Sequence, residues 1–453
     1  MGLPYFKAYD VRGTVPDQVN PGVAGRVARA FAEWSRSEEV LVGRDARLSS
    51  PALAEAVIGG LLDAGVTVHD VGLVSTPMLN FAVARRRRHG MMVTASHNPK
   101  HYNGIKFIDP NAEQIYYGRG LEAIEALVAA SAEKGRPAPS AAGGHVVLAP
   151  VLQEYEEHLV RAFRDAGLAA RSAVVDCSNG VGGLALGMLE RLGLRYTLLY
   201  HVPDGNFPNH ECDTLRPKNL DALRRTVVER KADLGIMFDG DADRVAFVDE
   251  QGAIAPVDLI FVLLARQELE RGKGRVFYDL RFSRTVKEEI ERLGGRPVTM
   301  RVGNPFYKEA IHRHADGLLA AELSGHIMYR EHFGIDDSLF AALKLLSYLA
   351  RRKEPLSALL APLRRWAGSG ELRIRTERPA DVIAAIRSAF PGGTVEEIDG
   401  VTLNFADWWI NVRPSNTEPV VKLVMEAAGA GLLAGRMDEM RAVVARAGGT
   451  IEH

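Results

Sequence analysis

Two short stretches carry most of the chemistry this sequence offers. Thr94-Ala95-Ser96-His97-Asn98-Pro99 places one serine in a polar loop directly after the apolar run Met91-Met92-Val93. Asp239-Gly240-Asp241-Ala242-Asp243-Arg244 sets carboxylates at alternate positions directly after Leu234-Gly235-Ile236-Met237-Phe238. Carboxylates at i, i+2 and i+4 in an extended loop can converge on one hard, oxygen-seeking cation. Magnesium suits such a site, because it takes few protein carboxylates and completes its shell with phosphate oxygens. A serine carrying phosphate beside that metal is a phosphoryl-transfer centre. The Asp spacing also fits a solvated turn, and a Ser-His pair in a loop is often turn chemistry. A calcium loop of EF-hand type is excluded: with Asp239 first, Arg244 stands where that loop needs glycine, and strand-like Val245-Ala246-Phe247 follows.

The elements around these loops repeat one local grammar of apolar strand, polar loop and helical pattern. It occurs at Val40-Leu41-Val42 into Gly43-Arg44-Asp45, at Ala173-Val174-Val175 into Asp176-Cys177-Ser178-Asn179-Gly180, and at Val276-Phe277-Tyr278 into Asp279-Leu280-Arg281. Strands alternating with helices predict α/β layers, here three related units. At 453 residues the chain exceeds one ordinary core, so about two to four domains are expected. Residues 135–150, rich in Gly, Ala and Pro, suit a linker before a helix starting near Pro150. Gly252 and Pro256 mark a second break, and beyond Trp366 the character changes. There, strand signals at Glu371–Thr376, Gly400–Phe405 and Trp408–Val412 with a helical stretch over 380–390 predict a smaller α+β domain. The expected domains are 1–149, 150–252, 253–365 and 366–453. The glycine-rich run Gly180-Val181-Gly182-Gly183 after a strand could cradle phosphate at a helix N-terminus or serve as a tight turn; it lacks the dinucleotide fingerprint.

Charge is balanced, with 56 basic and 57 acidic residues, so no nucleic-acid or membrane partner is expected. The one basic run, Arg85-Arg86-Arg87-Arg88, reads as a solvated helix end after a helical stretch near Leu79 to Ala84. Two cysteines, Cys177 and Cys212, imply no disulfide framework. No leader-like segment and no apolar run of ~20 residues is visible. A soluble, cytoplasmic protein is the expectation.

ThrAlaSerHisAsnPro, AspGlyAspAlaAspArg, Glu322-Leu323-Ser324-Gly325-His326 and Arg413-Pro414-Ser415-Asn416-Thr417-Glu418-Pro419 occur in that order. Together they resemble the α-D-phosphohexomutase superfamily, and within it the phosphomannomutase/phosphoglucomutase group. Phe6-Lys7-Ala8-Tyr9-Asp10-Val11-Arg12-Gly13 and Val42-Gly43-Arg44-Asp45-Ala46-Arg47 are also similar to it. The resemblance implies three α/β domains plus a smaller C-terminal α+β domain around a central active-site cleft. It implies that Ser96 carries phosphate between O1 and O6 of a hexose, mannose or glucose, through a 1,6-bisphosphate intermediate, with glucose 1,6-bisphosphate as activator. Mg²⁺ would be held by Asp239, Asp241, Asp243 and a phosphoserine oxygen of Ser96. Three carboxylates and a phosphate outweigh one Mg²⁺ by about three charges, so nearby cations are needed. Arg244, Lys106 and Arg12 match the family's motifs, with Arg244 also a substrate-binding position, Lys106 and Arg12 as candidates for acid/base work, and His97 either catalytic or orienting the serine loop. Tyr9, Arg281, Glu322, Ser324 and His326 correspond to substrate-contacting positions. Arg413, Ser415, Asn416 and Thr417 offer a guanidinium fork, hydroxyls and an amide that suit a phosphate dianion.

Five positions depart from the pattern. Val302-Gly303-Asn304 stands where many relatives have Thr-Gly-His, Arg281 where a Lys is common, Ala321 where Gly precedes the glutamate, and Ala242 where Gly is frequent in the metal loop. The metal and phosphate motifs are intact, whereas the sugar-contacting loop is altered. A phosphoglucosamine mutase, a metal-dependent sugar phosphatase and a non-catalytic sugar-phosphate-binding protein are the competing readings.

Overall fold

The computed structural model describes residues 2–134, 143–415 and 420–452. Part of the expected linker and the clamp residues Asn416 and Thr417 lie outside the described residues. Four sheets follow one another along the chain.

The first three are built on one plan. In the first, the strand Glu39–Arg44 lies between Thr67–Leu73 and His89–Val93, parallel to both, and Tyr102–Ile108 pairs antiparallel to the last of these. In the second, Ser172–Asp176 lies between parallel Arg195–Leu199 and Leu234–Phe238, with Val245–Asp249 antiparallel beyond. In the third, Arg275–Asp279 lies between parallel Arg296–Met300 and Gly317–Ala321, with Ile327–Tyr329 antiparallel beyond. The central strands are buried on both faces, which is why they read as continuous apolar runs rather than alternating ones.

The shared plan brings equivalent loops to one pole of the molecule. The loop joining third and fourth strands holds Ser96 in the first unit, the Asp239–Arg244 run in the second and Glu322–His326 in the third. The loop after the first strand opens in each case on an aspartate whose carboxylate accepts from the backbone N–H two residues on: Asp45 from Arg47, Asp176 from Ser178, Asp279 from Arg281. Such Asx turns reverse the chain tightly at the carboxyl ends of the strands, the edge where α/β sheets bind ligands.

The fourth sheet is antiparallel throughout, from Thr394–Glu396 through Val401–Asn404, Trp408–Pro414, Val421–Ala427 and Ala367–Arg375 to Thr450–Glu452. The helices Pro379–Ala389 and Ala430–Arg446 cover it. The molecule is thus three related α/β units plus an α+β unit. One apolar core runs through the first three, from Leu41 and Phe81 through Tyr155 and Phe247 to Leu345 and Leu363. The fourth keeps a separate core around Ile374, Ile386, Trp408 and Met440. The basic run is a helix end, as its sequence suggests. Thr76–Arg86 stops at Arg87, whose left-handed backbone closes the helix, and Arg85, Arg86 and Arg88 pair with Glu154 and Glu39. No helix among the described residues is long and apolar enough to cross a membrane.

Candidate active site

The serine loop is fastened from beneath. Ser96 is buried and adopts φ 49°, the left-handed region that a non-glycine residue occupies at some cost. Its N–H donates to Thr94 Oγ1, and Thr94 in turn donates to Asp45. Buried Arg47 donates to the carbonyls of Ser96, Asn98, Pro99 and Tyr102, at 2.6–3.0 Å, while its Nε rests on Asp45. Arg12, held by Asp10 at 2.5 Å, reaches Asn98 Oδ1 at 2.8 Å. These bonds leave Ser96 Oγ aimed at the second unit, where it donates to Asp239 Oδ2 at 2.6 Å. His97 Nδ1 stands 3.4 Å from the same hydroxyl. Burial and the neighbouring Arg244 and Arg12 push the His97 pKa well down, so its ring is neutral.

Asp239, Asp241 and Asp243 are all buried and offer oxygens within 4.8 Å of one another. Lys106 Nζ bridges Asp241 and Asp243 at 2.7 and 2.5 Å, and Thr76 donates to Asp241 at 2.6 Å. Burial opposes the Lys106 charge, but the two aspartates outweigh it and raise its pKa above the ordinary lysine value. Burial and the two neighbouring carboxylates push Asp239 well up. Burial would raise Asp243 too, yet Lys106, His326 and Arg244 hold it well below the usual range. Asp241 Oδ1 accepts no hydrogen bond, and Asp243 Oδ1 has only His326 Nε2 at 3.4 Å. Unpartnered buried carboxylate oxygens converging with a serine hydroxyl fit a hard divalent cation. Ala242 takes φ 60°, which explains why glycine suits that position and sets a strain that alanine tolerates here. The glycine-rich loop plays a packing role: a Cβ on Gly180 would lie 2.4 Å from the Gly240 carbonyl. That carbonyl accepts from Val181 N, so the loop braces the Asp run, and no helix starts directly after it.

The third unit supplies a polar wall. Glu322, Ser324 and His326 bond to one another, with Ser324 Oγ 2.6 Å from Glu322 and 2.7 Å from His326 Nδ1. Burial opposes ionisation of both, yet the Asp243 and Glu322 charges raise His326 to about 9, and His326 and Arg281 lower Glu322. Arg244 Nε lies 3.4 Å from His326 Nε2. Gly303 donates to Glu322 at 3.0 Å, has φ 134°, and lies where a Cβ would meet Tyr9 Oη at 2.5 Å. Only glycine fits that contact. Tyr9 donates to Val302 O, so the first unit touches the altered loop directly. Asn304 donates to Asp336 at 2.5 Å.

From the fourth unit, Arg413 reaches Glu371 at 2.7 Å, and the same carboxylate oxygen meets Arg281 Nη1 at 3.1 Å. Asp279 grips the other side of Arg281 through bonds of 2.5 and 2.9 Å. Ser415 follows Arg413 and its N–H donates to Val420 O. Contacts among the described residues thus link Ser96, His97, Lys106, Asp239, Asp241, Asp243, Arg244, His326, Ser324, Glu322, Arg281 and Arg413 from the first unit to the fourth, with Arg12 bonded to Asn98 and Tyr9 to Val302. Arg47, Thr76, Asp279 and Glu371 are the supporting residues that the sequence reading gave no role. The Asp-x-Arg spacing after two strands could have flagged Asp45–Arg47 and Asp279–Arg281; nothing local marks Thr76 or Glu371.

Family models match the chain in four consecutive pieces. They are phosphoglucomutase/phosphomannomutase α/β/α domains I, II and III at residues 3–134, 153–252 and 256–365, and the C-terminal domain at 371–443. A phosphomannomutase of Salmonella typhimurium is 34% identical over 438 residues, covering 94% of this chain and 95% of that one. A phosphomannomutase/phosphoglucomutase of Pseudomonas putida is 36% identical over 436 residues, covering 93% and 91%. The crystal structure of a phosphoglucomutase/phosphomannomutase family protein from Burkholderia thailandensis superposes with a TM-score of 0.89 at 33% identity, covering 98% and 97%. With all four domains matched and relatives above 30% identity along nearly its whole length, this chain belongs to the phosphoglucomutase/phosphomannomutase family of phosphohexomutases.

Proposed function

We propose that this enzyme interconverts hexose 1-phosphate and 6-phosphate, with mannose or glucose as the sugar, through phosphate carried on Ser96. The observation that supports it most is the 2.6 Å bond from Ser96 Oγ to Asp239, inside a carboxylate set with unpartnered oxygens. In the first transfer the Oγ–P bond of phospho-Ser96 breaks as a sugar hydroxyl oxygen bonds to phosphorus and loses its proton. The 1,6-bisphosphate then turns end for end. In the second transfer the P–O bond at the other carbon breaks, Ser96 Oγ–P re-forms, and a proton returns to the sugar oxygen. Asp239, Asp241, Asp243 and an oxygen on Ser96 would hold Mg²⁺, which when bound neutralises charge on the transferring group. Arg12 and Arg244 line the approach and offset the remaining negative charge. Glu322 and Ser324 accept from and donate to sugar hydroxyls, while Arg413 with Ser415, Asn416 and Thr417 grips the distal phosphate. Proton transfer is assigned to Lys106, which bridges Asp241 and Asp243 beside the Asp239 that the serine contacts; with Mg²⁺ on those carboxylates, Lys106 would lose the charges that hold its own proton and could accept the sugar's.

Turnover of mannose 1-phosphate, glucose 1-phosphate and glucosamine 1-phosphate, each with Mg²⁺ and catalytic glucose 1,6-bisphosphate, tests the reading. Turnover of either of the first two is expected, with phosphate on Ser96 in the intact mass. Ser96→Ala is expected to lose on the order of 10³-fold or more in rate. Lys106→Met is expected to lose turnover while keeping phospho-Ser96. Preference for glucosamine 1-phosphate, release of free phosphate, or binding without turnover would overturn it.

A further inference from the structure

A cleft of about 860 Å³ opens between the first and third units, lined by none of the residues assigned above. Part of its wall is formed where two helices end away from the loops that carry Ser96 and the altered Val302-Gly303-Asn304 stretch. Arg87 ends the helix that begins at Thr76, and Arg313 ends the topologically equivalent helix of the third unit, which begins at Asn304. A ten-residue helix carries the chain about 15 Å from the sugar loop. The strand His89–Val93 separates Arg87 from the serine loop by about 17 Å.

The walls carry an excess of guanidinium. Arg119 is committed to Asp109 and Glu113, and Arg313 to Glu309. Arg87 has only the neutral Asn111 Oδ1, at 2.9 Å, and Arg330 only the Ile311 carbonyl, at 2.5 Å. Neither has a carboxylate partner among the described residues. Arg87 is the one member of the basic run without an ion pair there, its three neighbours being spent on Glu154 and Glu39. Four arginines against Glu113 and Glu309 leave the lining about two charges positive, His312 apart.

We propose that this cleft binds a small polyphosphate anion, separately from the catalytic centre. Guanidinium forks match phosphate oxygens in pairs. The two uncommitted forks come from different units, so a ligand meeting both spans the boundary between them, and linked phosphates offer an oxygen pair to each fork. The volume suits a molecule of that size. A bound polyanion would fasten the unit that carries Ser96 to the unit that carries Glu322.

Calorimetric titration of the full chain with inorganic tripolyphosphate, in EDTA without Mg²⁺, tests this. One molecule per chain is expected to bind with a component weakened about 100-fold in Arg87→Gln/Arg330→Gln, tenfold for each fork lost. Arg87→Lys/Arg330→Lys, which keeps charge but not the fork, is expected to fall between. Hydrogen exchange is expected to slow over 84–88 and 309–313 in the wild type only. Unfolding midpoints of the variants are expected to match the wild type. No binding, equal binding in the wild type and both variants, protection confined to the Ser96 and Arg413 loops, or tighter binding of citrate would overturn the proposal. The readout is binding, so it stands or falls independently of which sugar the enzyme takes.

Discussion

Arg47 shows how the serine loop is held by a residue outside the proposed chemistry. Its buried guanidinium satisfies four loop carbonyls and compensates the buried Asp45. Arg47→Met leaves those carbonyls and a buried carboxylate without their cation. A loss of about 3–5 kcal/mol is expected in urea unfolding, with turnover falling while the substrate spectrum is unchanged. Most residues proposed for the chemistry were legible in the sequence because they sit in short polar loops beside apolar strands, whereas Arg12, Lys106 and Arg413 lie on strands and stood out only through the family motifs. Their supports were not legible, because the pairing is tertiary: Thr76 reaches Asp241 across 165 positions, and Glu371 reaches Arg281 across 90. Ser96 itself carries a local signal of use. Folding alone favours Gly or Asn at φ 49°, so serine there runs against backbone preference.

Among the elements, the recurrence of strand and Asp-opened loop was visible in the sequence, but the strand order was not. Which strand lies centrally depends on pairings far apart in the chain, such as Ala173 with Leu234. The first strand of the fourth unit begins at Ala367, ahead of the expected Glu371. Ala367-Gly368-Ser369-Gly370 has no strand character, and the register shifts between Gly368 and Glu371 where it joins. The brace behind the metal loop makes a prediction at this scale. Gly180→Ala must push back the Gly240 carbonyl, at a cost of about 1–3 kcal/mol. Weaker Mg²⁺ binding, by roughly tenfold for each 1.4 kcal/mol that reaches the site, is expected in calorimetric titration. Gly272→Ala, where a Cβ meets nothing within 4 Å, is expected to leave Mg²⁺ affinity unchanged.

At the scale of the whole molecule, three units share a core and the fourth does not. The fourth docks on the third largely through polar contacts: Arg284 with the carbonyls of Phe405, Ala406 and Trp408, Asp399 with Val302 N, and Glu371 with Arg281. Such an interface releases before either core melts. Calorimetry is expected to show two transitions, with hydrogen-exchange protection over 371–415 and 420–452 lost separately from that of 3–134 and 153–363. A single transition losing both together would count against independent cores. The equivalent placement of the serine, carboxylate and sugar loops also has an ancestral consequence. A lone unit could present one such loop, and three copies of it around a common centre would be identical. Fused into one chain, the copies are free to diverge, one carrying the buried serine, one the carboxylate cluster and one the Glu322–His326 wall. Under the proposed function, that separation would let Val302-Gly303-Asn304 change without disturbing the serine and carboxylate loops, which are encoded elsewhere in the chain.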